Sequence, residues 1–413
     1  MENSILKVQK SKLEGQVRVS GAKNNALKLL TASVLTEDKV ELYNCPNGLL
    51  DMQVHIGMLN RMGKTCIEEG SFLQITENNL SPNLTWDERS IRNSLLILGC
   101  LTTRFGEGRV PLPGGCKLGD RKYDIHIMVL EKLGAKVWEE DDYLCTKTEG
   151  RLKGCEIYLP IRSTGATENA IFCATLATGI TTVWNPHIRP EIIDLIKMLN
   201  KMGAKIKVYG QKCIVIEGVE RLNGVKHRAI PDNMEALTWA IGATITGGDV
   251  EILDFPFEHL EVPLIFLRES GMKYYKGENS LIVRGGTPFP VEISTGPYPG
   301  INSDMQPLFA IYGACSRGES NIVDLRFPGR YAYAEEFSKM GVNYSVEGDL
   351  LKIQGGNKLK GTNVTASDLR AGMALLLAGM VAEGETTIHN KWQIERGYEN
   401  LIDKLNQLNV NSK

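Results

Sequence analysis

The chain of 413 residues has no C-x-x-C pair among its nine cysteines, no long Lys/Arg run and no stretch of about 18 uninterrupted apolar residues. Each absence removes a class. Scattered cysteines support neither a disulfide framework nor a zinc site, and most read as small core residues. His55, His126, His187, His227, His259 and His389 are equally dispersed, so no histidine metal cluster is legible from spacing. With a formal net charge of −2 and no basic tract, a surface that tracks nucleic-acid phosphates is not expected. Any anion bound should be small and held in a pocket. The opening Met1-Glu2-Asn3-Ser4-Ile5-Leu6-Lys7 lacks a basic segment followed by an apolar one, so a cytoplasmic protein with no membrane partner is expected.

What is present is a globular composition, 42% apolar and 23% charged, in a length that suits two domains of roughly 150 to 250 residues. A phrase built on apolar-Gly-apolar recurs about every 70 residues. It reads Met62-Gly63-Lys64, Leu133-Gly134-Ala135, Met202-Gly203-Ala204, Gly271-Met272-Lys273, Met340-Gly341-Val342 and, in degenerate form, Leu408-Asn409-Val410. In the third copy Ile192, Leu195, Ile196, Leu199 and Met202 recur at helical spacing after Pro190, and Gly203 supplies the stop. Ile206, Val208, Ile214 and Ile216 then alternate as strands around a Gly210-Gln211-Lys212 turn. The front half of each repeat is a short strand, a polar loop and a small-residue-rich helix. Six βαβαββ-like units result. Helices such as 371–382 look buried on all sides, which favours two closed groups of three over a solenoid, with a boundary near Ala229.

The polar loops place Lys23, Asn24, Arg92, Asp304 and Arg370 at the starts of those helices, where free N–H groups and the dipole attract phosphate or carboxylate. Capping accounts for Ser20, Ser163 and Ser367 but not for long cations, which are unfavourable there unless an anion neutralises them. A second concentration is Pro111-Leu112-Pro113-Gly114-Gly115-Cys116-Lys117-Leu118-Gly119-Asp120-Arg121, a loop that exposes its backbone. Cys116 lies there among Lys117, Arg121 and Lys122, and neighbouring positive charge makes a thiol reactive.

Along essentially its whole length the chain resembles the enolpyruvyl transferases, and among them the UDP-N-acetylglucosamine 1-carboxyvinyltransferase family of early peptidoglycan synthesis. The resemblance is carried by Ser20-Gly21-Ala22-Lys23-Asn24, Leu112-Pro113-Gly114-Gly115-Cys116, Gly165-Ala166-Thr167-Glu168-Asn169, Asp304-Met305-Gln306, Asp368-Leu369-Arg370-Ala371 and Glu395-Arg396-Gly397-Tyr398-Glu399. It implies an α/β fold of two inside-out α/β barrel domains, each of three repeats: residues 23–229, and 1–22 with 230–413, the active site lying in the cleft between them. It also implies transfer of the enolpyruvyl group of phosphoenolpyruvate to the 3-hydroxyl of UDP-N-acetylglucosamine, with phosphate released through a tetrahedral adduct. In similar enzymes Lys23, Arg121 and Arg396 would face the phosphate, and Arg330 and Arg370 would hold the carboxylate. Arg330 rather than Arg326 is the match, since it keeps the spacing to Asp304 and to Glu335-Glu336-Phe337. Asp304 would receive the acceptor's proton. Cys116 would act in acid catalysis or product release, and the epoxide fosfomycin would alkylate it. No metal, organic cofactor or obligate protein partner is called for.

Arg92 is a further cation candidate for phosphoenolpyruvate, and on the acceptor side the resemblance points to Arg121, Lys122, Tyr123, Asp124, Ile125, Ser163, Thr164, Gly165 and Arg326. Several depart from the family pattern. Its usual Arg-Pro-Val-Asp-Leu reads Arg121-Lys122-Tyr123-Asp124-Ile125, a Lys becomes Ile161, a Glu becomes Arg189, and an apolar residue becomes Arg326. Likewise Thr164 replaces a usual Val, Ser303 a usual Thr, and Asn233-Met234-Glu235 the phrase Arg-Ile-Glu. UDP-N-acetylglucosamine is the expected acceptor, with UMP or another UDP-sugar as the alternative. The shikimate-pathway enzyme lacks the Pro-Gly-Gly-Cys phrase, and loss of catalysis conflicts with the set Lys23, Cys116, Asp304, Arg370 and Arg396.

Overall fold

The computed structural model describes residues 4–113 and 123–412. The chain divides into two compact units, Gly21–Ile230 (the first unit) and Met1–Ser20 with Pro231–Lys413 (the second).

The third repeat shows how the sequence builds a unit. Strand Glu156–Tyr158 runs parallel to Ile180–Trp184, with helix Thr164–Thr175 crossing between them. Helix Pro190–Lys201 follows, with its proline in the first turn, and the hairpin Lys205–Tyr209 and Cys213–Glu217 pairs back antiparallel on Ile180–Trp184. Glu292–Ser294, Glu319–Val323, Asn343–Glu347 and Leu350–Gln354 repeat the same order and register sense. Each recurring phrase ends its helix at a residue in the left-handed region. Gly63, Gly134, Gly203, Gly271 and Gly341 have φ of 113°, 101°, 106°, 94° and 97°, and Asn409 takes the sixth position at 57°. Glycine carries no Cβ penalty there and asparagine tolerates it best among the rest, which is why the phrase is legible and why its last copy degenerates as it does.

Three repeats are completed by distant strands. Val225–Arg228 pairs parallel with Val40–Tyr43, Glu14–Arg18 with Asp249–Leu253, and Ile5–Gln9 runs antiparallel to Glu385–His389. The chain's first residues therefore supply strands to two sheets of the second unit.

Each unit is built inside out, with three sheets around buried helices. In the first unit these are Lys23–Ala32, Ser94–Phe105 and Thr164–Thr175; in the second, Asn233–Ile245, Gln306–Ala314 and Leu369–Val381. Every residue from Arg370 to Met380 is buried. Such a helix needs small residues where sheets press on it: a Cβ on Gly379 would lie 2.4 Å from Val8 Cγ1. Two separate apolar cores result, one around Leu29, Ile97 and Phe172, the other around Trp239, Phe309 and Leu376. Each large apolar side chain so buried contributes about 1.5–3 kcal/mol. Among the described residues no helix is long and apolar enough to cross a membrane.

Candidate functional site

In the second unit, helix N-termini bring charged side chains together. Asp304 precedes helix Gln306–Ala314, but it does not cap it: Asn302 Oδ1 accepts from the backbone N–H groups of Asp304 and Met305. The Asp304 carboxylate is left to face two guanidinium groups, Arg330 Nη1 at 3.1 Å and Arg370 Nε at 3.7 Å. Arg330 also donates to Asp368 Oδ2 (3.4 Å) and to the hydroxyl and carbonyl oxygens of Ser303. Asp368 has two roles, because its Oδ1 caps helix Leu369–Val381 through the N–H groups of Arg370 and Ala371.

Arg370 is only 3% exposed. Burial opposes its charge, but Tyr398, Asp304 and Asp232 outweigh that and push its pKa further up. Arg330 behaves alike: burial opposes, while Asp304 and Asp368 raise. Both are permanent cations. Nε and Nη1 of Arg370 and Nε of Arg330 make no hydrogen bond among the described residues. Buried donors left this way cost about 1–3 kcal/mol each unless an oxygen ligand or water meets them. Two planar guanidinium groups flanking one carboxylate can bind a second carboxylate bidentately and hold a general base beside it. Arg396 is also buried, with Nη1 on Gln393 Oε1 at 3.2 Å. Arg326 is exposed, and its guanidinium lies 5.5 Å from the Phe327 ring.

The first unit assembles a different set. Lys23 opens helix Lys23–Ala32 and forms a buried ion pair with Asp51 at 2.9 Å, a counter-charge that sequence reasoning did not foresee. Asn24 beside it is half-buried. Arg92 and Asn93 precede helix Ser94–Phe105; Asn93 takes a bond from Lys28 Nζ (2.6 Å) and meets His55 Nδ1 (3.2 Å). Lys28 in turn lies 3.5 Å from Glu168, whose pKa is pushed to about 7, first by burial. His126 is buried and driven down to about 3, by burial and then by Arg92 and Lys28. A Cβ on Gly165 would stand 2.9 Å from its Nε2, so Gly165, Arg92 and helix Asp124–Lys132 meet around one imidazole.

Ser163 caps helix Thr164–Thr175 at Ala166 N, and Thr164 Oγ1 meets His187 Nδ1 at 2.8 Å. Tyr123 donates its phenol to Glu139, which holds its pKa up at about 12. Asp124 is exposed in the first turn of its helix and Ile125 packs against the core. Arg189 forms a two-pronged pair with buried Glu191 at 2.6 and 2.7 Å.

Two capping expectations fail. Ser20 instead accepts from Lys404 Nζ (2.6 Å), and Asp368 rather than Ser367 caps its helix. Cys116, Lys117, Arg121 and Lys122 lie outside the described residues. Sequence reasoning passed over Asp51 and Asp232, and quoted Asp368 and Tyr398 in motifs without giving them a role. Asp232 and Asp368 each directly precede a buried helix and cap it. Among the described residues no group of three or more His, Cys, Asp or Glu is arranged to hold a metal.

The comparisons with known proteins bear on this arrangement. The profile of the family described as EPSP synthase (3-phosphoshikimate 1-carboxyvinyltransferase) matches residues 8–405. The chain belongs to this enolpyruvyl transferase family. Two relatives of this enolpyruvyl transferase are named UDP-N-acetylglucosamine 1-carboxyvinyltransferase. That of Serratia proteamaculans is 39% identical over 405 residues, covering 97% of this chain and 96% of the relative. That of Carboxydothermus hydrogenoformans (numbered 1) is 41% identical over 392 residues, covering 94% and 93%. Among solved structures, the enolpyruvyl transferase NikO from Streptomyces tendae superposes with a TM-score of 0.90 at 24% identity, covering 100% of this chain and 99% of the other. EPSP synthase from Acinetobacter baumannii gives 0.73 at 17% identity, covering 99% of each. These structures share the inside-out α/β fold.

Proposed function

We propose that this enolpyruvyl transferase moves the enolpyruvyl group of phosphoenolpyruvate to the 3-hydroxyl of UDP-N-acetylglucosamine, the entry step of peptidoglycan synthesis, and does so in the cytoplasm. The relatives that cover nearly all of the chain at 39% and 41% identity carry that name. Within the chain, the observation that carries the reading is the Asp304 carboxylate set between Arg330 and Arg370.

In this reading Arg330 and Arg370 hold the carboxylate of phosphoenolpyruvate, and Lys23, Arg121 and Arg396 hold its phosphate. Asp304 takes the proton of the acceptor hydroxyl as that oxygen bonds to C2, and the methylene carbon takes a proton to complete the tetrahedral adduct. Loss of a proton from the same carbon and cleavage of the C2–O bond to phosphate then release phosphate and the enol ether. Cys116 serves this proton traffic or product release. Asn24 and Arg92 add to the substrate site, and Lys122, Tyr123, Asp124, Ile125, Ser163, Thr164, Gly165 and Arg326 face the uridine nucleotide, with Asp124 able to accept from the uracil N–H. The change of a usual Glu to Arg189 alters the local charge less than the sequence suggests, because Glu191 is paired with it.

Incubation with phosphoenolpyruvate and UDP-N-acetylglucosamine should release phosphate and yield the enolpyruvyl nucleotide by mass spectrometry. Fosfomycin should modify Cys116 when acceptor is present. Phosphate release with no acceptor-derived product, or alkylation only at other cysteines, would sink this assignment.

A further inference from the structure

The second unit contains a carboxylate that the reading above does not use. Asp324 is 0% exposed and, among the described residues, has no ion-pair partner. A charge so placed is costly unless hydrogen bonds replace its water. Five donors do so. Oδ1 accepts from Thr295 Oγ1 (2.8 Å) and from the backbone N–H groups of Arg326 and Phe327 (3.0 Å each). Oδ2 accepts from Ser303 Oγ and from Gln306 Nε2 (3.4 Å).

Those donors come from the end of strand Glu292–Ser294, from the 302–306 turn that carries Asp304, and from the 324–330 loop that carries Arg330. The links continue outward from the two donors on Oδ2. Ser303 Oγ and carbonyl receive Arg330 Nη1, and Gln306 Nε2 also donates to the Arg330 carbonyl at 3.2 Å. Gln306 Oε1 is fixed in turn by the buried phenol of Tyr333. Asp324 accepts from no backbone N–H of the helix that starts at Gln306, so capping does not explain it.

We propose that Asp324 is a positioning residue of the reaction: it clamps the Asp304 turn to the Arg330 loop, so that the base and the carboxylate-binding guanidinium keep their 3.1 Å register. This rests on the role proposed above for Asp304 and Arg330. An apolar residue could fill the volume but could not join three segments. An asparagine would turn one acceptor into a donor facing other donors, which breaks the clamp on one side.

The test compares Asp324→Asn, Ser303→Ala and Ser303→Thr with the wild-type protein for phosphoenolpyruvate-dependent phosphate release and for calorimetric binding of phosphoenolpyruvate. Asp324→Asn and Ser303→Ala should each raise KM for phosphoenolpyruvate about tenfold and lower kcat by a similar factor, and Ser303→Ala, which leaves the Arg326 backbone bond to Asp324 in place, should keep KM for the acceptor within about twofold. Ser303→Thr restores the hydroxyl and should recover most of both. A purely structural role would lower Tm without this split between the two substrates. If Asp324→Asn does not fold, the Ser303 pair decides. Unchanged phosphoenolpyruvate parameters in Ser303→Ala, or in folded Asp324→Asn, overturn the inference while the transferase reading stands. Wild-type protein that neither binds phosphoenolpyruvate nor releases phosphate overturns the reading and the inference together.

Discussion

The two units use one plan and fill it with opposite chemistry. In the second, the starts of two buried helices supply Asp304, Asp368 and Arg370, and the 324–330 loop adds Arg330, a set in which two guanidinium groups keep their charge at any ordinary pH. In the first, Lys23 and Arg92 stand at the helix starts, while Glu168, His55 and His126 lie within helices and are moved towards neutrality by burial. The difference follows from partners. Asp304 lies between two guanidinium groups, whereas Glu168 has one lysine at 3.5 Å and is 2% exposed, so desolvation dominates. A shared backbone fixes where polar groups gather, and the count of permanent charges decides whether they stay ionised.

The largest expected effect breaks the second set. Asp304→Ala should reduce turnover about 10²–10⁴-fold, as for a group acting in proton transfer. Circular dichroism should show a folded protein, since Asp304 does not cap the helix and Asn302 holds the turn before it. A loss under about tenfold in the phosphate-release assay would reduce Asp304 to a charge partner of Arg330.

Next comes the first unit's own ion pair. Asp51→Ala strands Lys23, which is 6% exposed, and removal of one partner of a buried pair costs about 3–5 kcal/mol. Chemical denaturation should show that loss. A change below about 1 kcal/mol would mean that Lys23 finds water or another anion without difficulty.

Glu168 sharpens the comparison through pH. Its pKa rises from 4.5 unfolded to about 7 folded, so the folded state holds more protons between those values. Stability from this group is therefore present below pH 4.5 and lost as pH rises through 7, by roughly 3 kcal/mol. His55 and His126 act in the opposite sense: each falls from 6.5 to about 3, so their contribution is lost as pH drops below 6.5. The stability of wild type relative to Glu168→Gln should decline by that amount from pH 4.5 to 7. A flat difference would show that Glu168 is ionised throughout.

Much of this was legible from the residues because backbone geometry leaves marks. The left-handed helix ends at Gly63 through Gly341 are visible as glycines, and Asn409 explains the one degenerate copy. The pairing of Val225–Arg228 with Val40–Tyr43 was not, since nothing local to either strand names a partner so distant in sequence. The cations at the helix starts were readable by residue type. Their counter-charges were not: Asp51 lies inside helix Leu50–Met62, and Asp368 was overlooked beside Ser367 although one of its oxygens caps the helix and the other meets Arg330. Ser20 misled for the same reason in reverse, having the look of a cap while serving Lys404.

The most direct test of the account is kcat/KM for phosphoenolpyruvate transfer to UDP-N-acetylglucosamine, to other UDP-sugars and to UMP, measured side by side. The account predicts that UDP-N-acetylglucosamine gives the highest value. If another member of that set is better by more than about a hundredfold, roughly 2.7 kcal/mol in transition-state stabilisation, the cell-wall assignment fails while enolpyruvyl transfer remains; no transfer to any of them would contradict the account at its centre.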